Sequence, residues 1–174
     1  MTIDDFKKRA PGILLVGNHP ATAQSILDFD FLSGKKTPSV CAILTDGRNA
    51  EKFFFGRTEV LIPCYPHARA LPPHIKEKVK WMLNVQSGRR AYASTKIFFD
   101  FFPDAYGGVI FAENMPERHA VDLIRTYADS KLLLGAASVG FLLPGFLKLG
   151  TVGGVDPSQI EAGALTEGGS VAVV

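Results

Sequence analysis

Cysteine, excess charge and long apolar runs are all scarce in this sequence, and each scarcity narrows the possible functions. The 174 residues include 2 cysteines, Cys41 and Cys64, a number typical of buried free thiols in a reducing compartment rather than of a disulfide scaffold. The 19 lysines and arginines against 17 acidic residues leave a net charge of +2, which is too balanced for a general nucleic-acid binder. No apolar run reaches the roughly 18 residues that a transmembrane helix needs, so we expect no membrane partner.

Signatures of metal, nucleophile and nicotinamide chemistry are also missing. The histidines show no metal-ligand spacing with each other or with the cysteines, and no Ser–His–Asp or Cys–His arrangement is discernible. The glycine-rich GxGxxG spacing of a standard NAD site is absent, which leaves room for another nucleotide. The first residues, MTIDDFKKRAPG, contain no apolar stretch of a signal peptide, so we expect a cytoplasmic protein. The sequence thus predicts no metal and no catalytic residue.

Short apolar runs alternate with helical segments along the chain. The predicted strands include Gly12–Gly17, Ser39–Leu44, Lys80–Val85, Gly108–Glu113 and Leu132–Gly135. The predicted helices include Pro20–Phe31, Leu71–Val79, Arg90–Phe102 and Pro116–Ser130. Because strands that alternate with helices form a parallel sheet through right-handed crossovers, we predict an α/β fold. Its form is Rossmann-like and doubly wound, a mostly parallel sheet with helices on both faces.

The segment Gly135–Gly154 is rich in glycine yet too apolar for a solvated linker. Glycine lets a backbone approach a ligand closely, so we predict a ligand-binding loop at the carboxyl end of a strand. The final run Ser170–Val174 is strongly β-prone. We therefore predict one nucleotide-binding domain over residues 1–168, and in residues 169–174 the first strand of a further domain that the chain does not contain.

Several strand ends carry residues suited to an anionic ligand, and each has a plainer interpretation. The junction Gly17-Asn18-His19-Pro20 could hold a phosphate at a helix start, or be a helix start only. Ser87 with Arg89 or Arg90 could bind phosphate, or begin a solvated helix. Glu113 could accept hydrogen bonds from a ligand, or cap the following helix. Three further basic residues could meet a phosphate or be scattered surface charge: Arg48, Lys52 and Arg57.

Five segments also carry a family resemblance through their order and spacing: QSILDFDFLSGKKTPSVCAIL, FFFGRTEVLIPCY, LNVQSGRRAYAST, FAENMPE and SVGFLLPGFLKLGTVGG. With gaps, the similarity runs from about Gly12 to Val174. The sequence resembles the CoA-binding domain shared by ATP-citrate lyase, citryl-CoA synthetase and the α subunit of succinyl-CoA synthetase, with the ATP-citrate lyase branch the most similar. The resemblance implies a Rossmann-like domain that holds coenzyme A at the carboxyl ends of its strands.

The resemblance also implies roles for individual residues. Gly17, Asn18, His19 and Pro20 would receive part of the nucleotide, and Thr45 and Asp46 would flank its adenosine phosphate end. Val85, Ser87 and Arg89 match a CoA-contacting motif of the family. Phe111 matches an apolar contact, next to the candidate ligand Glu113. The turn Ser138–Val139 would face the pantetheine arm.

The function that the resemblance implies is that of a fragment of ATP-citrate lyase. The domain would position CoA for attack on citryl phosphate, and the resulting citryl-CoA would split to acetyl-CoA and oxaloacetate. Other domains or subunits of an oligomeric enzyme would use ATP and Mg. Two alternatives stay open: the same domain of a citryl-CoA or succinyl-CoA synthetase, or a standalone module that binds CoA or a dinucleotide. A structural alternative makes the aromatic helix Arg90–Phe102 a docking face.

Overall fold

The computed structural model describes residues 12–153, 156 and 158. The strands are β1 (Ile13–Val16), β2 (Val40–Leu44), β3 (Ala50–Phe55), β4 (Thr58–Tyr65), β5 (Trp81–Asn84), β6 (Gly107–Ile110), β7 (Leu132–Leu134), β8 (Gly140–Leu143) and β9 (Leu147–Gly150). The helices are α1 (Pro20–Leu32), α2 (Pro73–Lys76), α3 (Gly88–Phe101) and α4 (Glu117–Tyr127), with a 3₁₀ turn at Ala68–Ala70.

Seven of the described strands form one sheet in the order β3-β4-β2-β1-β5-β6-β7. Neighbours pair in parallel except β3 and β4, which form an antiparallel hairpin at one edge. The strand order reverses on either side of β1, because the chain first builds outward through β2 and β4 and then returns to add β5, β6 and β7. This arrangement confirms the predicted mostly parallel, doubly wound sheet.

The central strand is buried on both faces, as the predicted apolar run between Gly12 and Gly17 requires. Leu14 and Val16 pack with α3 and α4 on one face, whereas Ile13 and Leu15 pack with α1 and β9 on the other. Alternate residues of a strand point to opposite faces, so a strand covered on both sides is apolar throughout. Helices therefore lie on both faces of the sheet.

The predicted loop in Gly135–Gly154 is instead largely a β-hairpin of β8 and β9. The two strands meet at a type II turn in which Pro144 precedes Gly145, whose φ is +68°, and the Phe146 amide donates to the Leu143 carbonyl over 3.0 Å. An alanine Cβ at Gly140 would lie 1.9 Å from the Leu149 carbonyl oxygen. Here glycine permits close approach of two strands rather than of a ligand.

Other predicted bounds change where tertiary contacts end an element early. The helix predicted over Leu71–Val79 is a single turn, because the chain must turn to let the Trp81 amide bond to the Gly12 carbonyl at the start of β5. The strand predicted to reach Glu113 ends at Ile110. The predicted boundary after residue 168 and the strand Ser170–Val174 lie outside the described residues.

Candidate functional site

The carboxyl ends of the central strands lie side by side along one edge of the sheet, here called the carboxyl edge. The amide that follows each strand bonds to the last carbonyl of its neighbour: Gly17 to Leu44 over 3.0 Å, Val85 to Val16 over 3.0 Å, and Phe111 to Asn84 over 2.9 Å. In open α/β sheets, ligands bind at this edge where the strand order reverses. That position is the junction of β1, β2 and β5.

A cleft of about 470 Å³ lies at this junction. Of the predicted site residues, six line it: Gly17, Asn18, Thr45, Asp46, Val85 and Ser87. The other seven do not: His19, Pro20, Arg89, Phe111, Glu113, Ser138 and Val139. The volume falls in the range of small-molecule sites, roughly 300–1,000 Å³.

Gly17 shapes the floor of the cleft. Its φ is +97°, and a Cβ there would lie 3.0 Å from Gln86 Cγ and 3.2 Å from Val85 Cγ2. A larger residue would be strained in its backbone and would push the β5–α3 turn outward. Glycine at this position therefore keeps the ends of β1 and β5 close together.

His19 and Pro20 begin α1 rather than line the cleft. The His19 Nδ1 accepts a hydrogen bond from the Thr22 amide over 3.3 Å and lies 2.8 Å from Thr22 Oγ1. Pro20 is the first helical residue, as predicted. Because His19 already satisfies one of the free amides of the first turn, α1 offers less to an anion than an uncapped helix would.

The first amides of α3 are not capped by a side chain of the described residues, unlike those of α1. Ser87 occupies the N-cap position, yet within the described residues its side chain makes no capping hydrogen bond. The first turn carries Arg89 and Arg90, cations at the end of a helix where the dipole favours anions. Arg90 lines the cleft and Arg89 does not. The helix therefore presents free amides, a serine hydroxyl and a guanidinium to one place.

Phe111 and Glu113 lie beyond the cleft in the β6–α4 loop. This loop packs against α3, since a Cβ at Gly88 would lie 2.2 Å from the Asn114 carbonyl oxygen. Glu113 is exposed. The N-cap of α4 is Pro116, for which the described residues supply no side-chain cap, so the capping alternative for Glu113 is wrong.

Ser138 and Val139 reach the carboxyl edge next to β6. The Ser138 amide bonds to the Ile110 carbonyl over 3.3 Å, and the Ala137 amide bonds to the Ala112 carbonyl over 2.9 Å. Val139 is 60% exposed. The turn thus lies at the same edge as the cleft but about two strands away, roughly 10 Å at normal strand spacing.

Two of the three further basic residues form ion pairs with carboxylates of the β3–β4 hairpin. Arg48 pairs with Glu51, and Lys52 Nζ lies 3.0 Å from Glu59 Oε2. Glu51 also accepts a hydrogen bond from Asn18 Nδ2 over 3.3 Å, so the first pair lies beside the cleft. These residues and Arg57 do not line the cleft.

The sequence reasoning missed several cleft residues. They are Val16, Leu44, Pro66, His67, Ala68, Gln86, Ser94, Ile97 and Phe98. Pro66 and His67 follow β4, which would have been expected at this edge had β4 been assigned parallel to β2. Ser94 and Ile97 lie one and two turns beyond Arg90 on α3, a spacing that places them on the same helix face.

Both cysteines are free, as predicted, and burial raises the pKa of each thiol. Over the described ranges, no three His, Cys, Asp or Glu side chains are grouped to hold a metal ion. No helix in the part of the chain that the structure describes has the length and apolar character to cross a membrane.

No protein-family model matches the chain. It is 36% identical over 162 residues to a probable ATP-citrate synthase subunit 1 of Schizosaccharomyces pombe, covering 91% of this chain and 26% of that protein. Solved structures of ATP citrate lyase have the same fold. ATP citrate lyase of Methanosaeta concilii, in complex with (3S)-citryl-CoA, superimposes with a TM-score of 0.79 at 25% identity over 90% of this chain and 25% of that chain.

ATP citrate lyase of Methanothrix soehngenii, in complex with citrate and coenzyme A, gives a TM-score of 0.78 with the same identity and coverage. The chain spans about a quarter of the length of these relatives. Sequence and structure comparisons each match about nine-tenths of this chain, so the chain is homologous to one region of ATP-citrate lyase.

Proposed function

We propose that this chain binds coenzyme A at the carboxyl edge and, as one region of a longer ATP-citrate lyase, positions the CoA thiol for attack on citryl phosphate. The observation that carries the proposal is the cleft at the strand-order reversal, where the uncapped start of α3 meets Ser87 and Arg90. Relatives of the same fold have been solved with coenzyme A and with citryl-CoA.

The start of α3 suits a phosphate group of CoA. Free backbone amides and the positive end of the helix dipole attract an anion, and a guanidinium can donate two parallel hydrogen bonds to it. Two arginines in a first turn oppose the helix dipole, at a cost of about 0.3–1 kcal/mol each when nothing negative is bound. A phosphate there would remove that cost.

The pantetheine arm would leave the cleft along the carboxyl edge. Phe111 supplies an apolar side chain at the end of β6, and the Ser138–Val139 turn lies at the same end of that strand through its bond to Ile110. In this assignment Gly17, Asn18, Thr45, Asp46, Val85, Ser87 and the arginines hold the nucleotide. His19 and Pro20 shape the start of α1, and Glu113 lies beside the arm.

The chain's own residues bind and orient, and the bound CoA supplies the thiol that displaces phosphate from citryl phosphate. Holding one reactant in a fixed position can lower a barrier by several kcal/mol without any nucleophile from the protein. We therefore expect no turnover of citrate by these 174 residues alone.

The remaining steps belong to regions that this chain does not span. We propose that they use ATP and Mg to form citryl phosphate and then cleave citryl-CoA to acetyl-CoA and oxaloacetate, in an oligomeric enzyme of the cytoplasm. Residues 1–168 would be the CoA-binding domain and residues 169–174 would begin the next one. A synthetase would share this domain but lack a citryl-CoA cleavage region, so the sequence encoded downstream distinguishes the two.

Calorimetric titration of the chain with CoA and with NAD tests the proposal. We expect CoA to bind, NAD to bind more weakly, and the Arg90→Gln variant to lose about tenfold in CoA affinity, equivalent to about 1.4 kcal/mol. Arg125→Gln, an exposed arginine in the last turn of α4, is the matched control and should bind as the unchanged chain does. Absence of CoA binding, or equal losses in both variants, would refute the assignment.

A further inference from the structure

A buried amide lies at the carboxyl end of the central strand β5. Asn84 is 0% exposed and lies between β1 and β6, opposite Val16 and Ile110. A buried side-chain amide costs roughly 1–3 kcal/mol unless its hydrogen bonds are made. An apolar residue would fill this place in the sheet at no such cost, so the amide needs a reason.

The hydrogen bonds of Asn84 join the strand, the following turn and α3. Its Oδ1 accepts from the Gln86 amide over 3.1 Å, which folds the turn back on the strand end. Its Nδ2 lies 3.1 Å from the Ala91 carbonyl, 2.8 Å from Ser94 Oγ and 3.0 Å from Thr95 Oγ1. Two hydrogens are thus shared among three acceptors on the first two turns of α3.

The turn held in this way is the part of the cleft that would face an anion. Val85, Gln86 and Ser87 line the cleft, and Ser87 stands at the N-cap of α3 without forming a cap among the described residues. A serine at this position ordinarily bonds to an amide of the first turn and thereby fixes the helix start. Here Asn84 ties down the helix start from inside the sheet, so the Ser87 hydroxyl and the first amides stay available.

We infer that Asn84 is a positioning residue that presents the start of α3 and the Gln86–Ser87 backbone to the phosphate of the ligand. The inference rests on the proposed function for the identity of that ligand. Asn84 does not touch the cleft itself, and its effect passes through the turn that it holds. Its loss should therefore weaken CoA binding beyond what an equal loss of stability elsewhere in the chain would cause.

The test compares two fully buried polar residues, Asn84 at the carboxyl end of β5 and Asp30 in α1. Asn84→Ala removes the link to the turn, and Asp30→Ala removes a fully buried carboxylate near the start of β2, far from the cleft. CoA affinity is measured by calorimetry, and amide hydrogen exchange of residues 85–90 is followed with no ligand present. We expect Asn84→Ala to lose about tenfold in affinity and to exchange the Gln86 amide at least about tenfold faster. Asp30→Ala should change the affinity by no more than about twofold, and any faster exchange should be shared by the protected amides of the whole sheet rather than confined to residues 85–90.

Equal affinities in Asn84→Ala and the unchanged chain, or equal losses in both variants, would overturn the positioning role. Should Asn84→Ala fail to fold, Asn84→Leu decides, because it fills the place of the amide with an apolar side chain of similar shape and removes every hydrogen bond to the turn and to α3. A measurable loss of affinity in Asn84→Leu would support the role, and none would overturn it. If the wild-type chain binds no CoA, the proposed function is refuted on its own. The exchange rate of the Gln86 amide in Asn84→Ala, compared with that in the wild-type chain, then decides whether Asn84 holds the turn.

Discussion

Replacing Lys148 with methionine should stabilise the fold near neutral pH and remove a rise in stability at alkaline pH. Lys148 lies on β9, is 1% exposed, and donates from Nζ to Ser25 Oγ of α1 over 2.6 Å. Burial lowers its pKa from 10.5 to about 8, an effect that the nearby Asp28 carboxylate partly offsets. The folded chain therefore holds this proton less tightly than the unfolded chain does.

The sign of the pH dependence follows from proton binding in the two states. Below about pH 8 both states carry the proton, and the full penalty for burying the charge is present. Between pH 8 and 10.5 the unfolded state binds more protons, so the free energy of unfolding rises with pH. The lowered pKa corresponds to about 3 kcal/mol across that interval. Methionine also loses the hydrogen bond to Ser25, worth about 1 kcal/mol, so we expect a net gain near pH 7 of about 2 kcal/mol.

Urea unfolding of both proteins at several pH values from 7 to 10 measures this effect. The difference between them is the informative quantity, because the raised pKa values of Cys41 and Cys64 reduce the stability of both proteins as pH rises. The free energy of unfolding of Lys148→Met should exceed that of the wild-type chain near pH 7, and this excess should shrink and change sign as pH approaches 10. Lys52→Met, at a side chain that is 61% exposed, is the control and should show no such trend. If the difference in the free energy of unfolding between Lys148→Met and the wild-type chain stays constant with pH, burial does not lower the pKa of Lys148.

Two further substitutions test the packing of the fold away from the cleft. Gly140→Ala should destabilise the chain by at least about 2 kcal/mol in urea unfolding, because φ is +104° and the Cβ would meet the Leu149 carbonyl oxygen. Gly153→Ala is its control and should change little, because none of the described residues would lie within 4 Å of the new Cβ. Equal losses of stability in the two variants would contradict the role given to Gly140. Asp30→Ala should cost about 3 kcal/mol, because it leaves Lys35 and the Ser39 amide without their buried acceptor. Exposed Asp129→Ala is its control, and a loss below about 1 kcal/mol for Asp30→Ala would count against that network.

The β8–β9 hairpin shows where the sequence reasoning went wrong. The glycine content of this segment predicts close approach to a ligand, but Gly140 and Gly150 let two strands approach each other. The Pro144–Gly145 pair between two apolar runs was the signal for a hairpin turn. The runs on either side of it show no strand periodicity, because their apolar residues do not alternate strictly with polar ones.

The candidate site was predictable in position and less so in membership. The strand ends at Gly17 and Val85 follow from the sequence, because buried parallel strands must place their carboxyl ends at one edge, whereas Thr45 is implied only by the family resemblance. Arg90 rather than Arg89 lines the cleft because of the rotation of α3 about its axis, which packing on the sheet sets. His19 caps α1 because its ring lies within reach of the Thr22 amide, a distance that residue type alone does not indicate.

The order of buried strands and helices was determined by the sequence itself, since apolar runs between glycines and helices begun by proline are local patterns that each segment carries. Which residues meet was decided only by the tertiary structure. In the sequence, nothing distinguishes Asn84 and Lys148 from solvent-exposed polar residues. Both are buried, because segments distant in the sequence cover them. The free energy of a buried polar group depends on neighbours brought together by the whole sheet, and no local pattern encodes those neighbours.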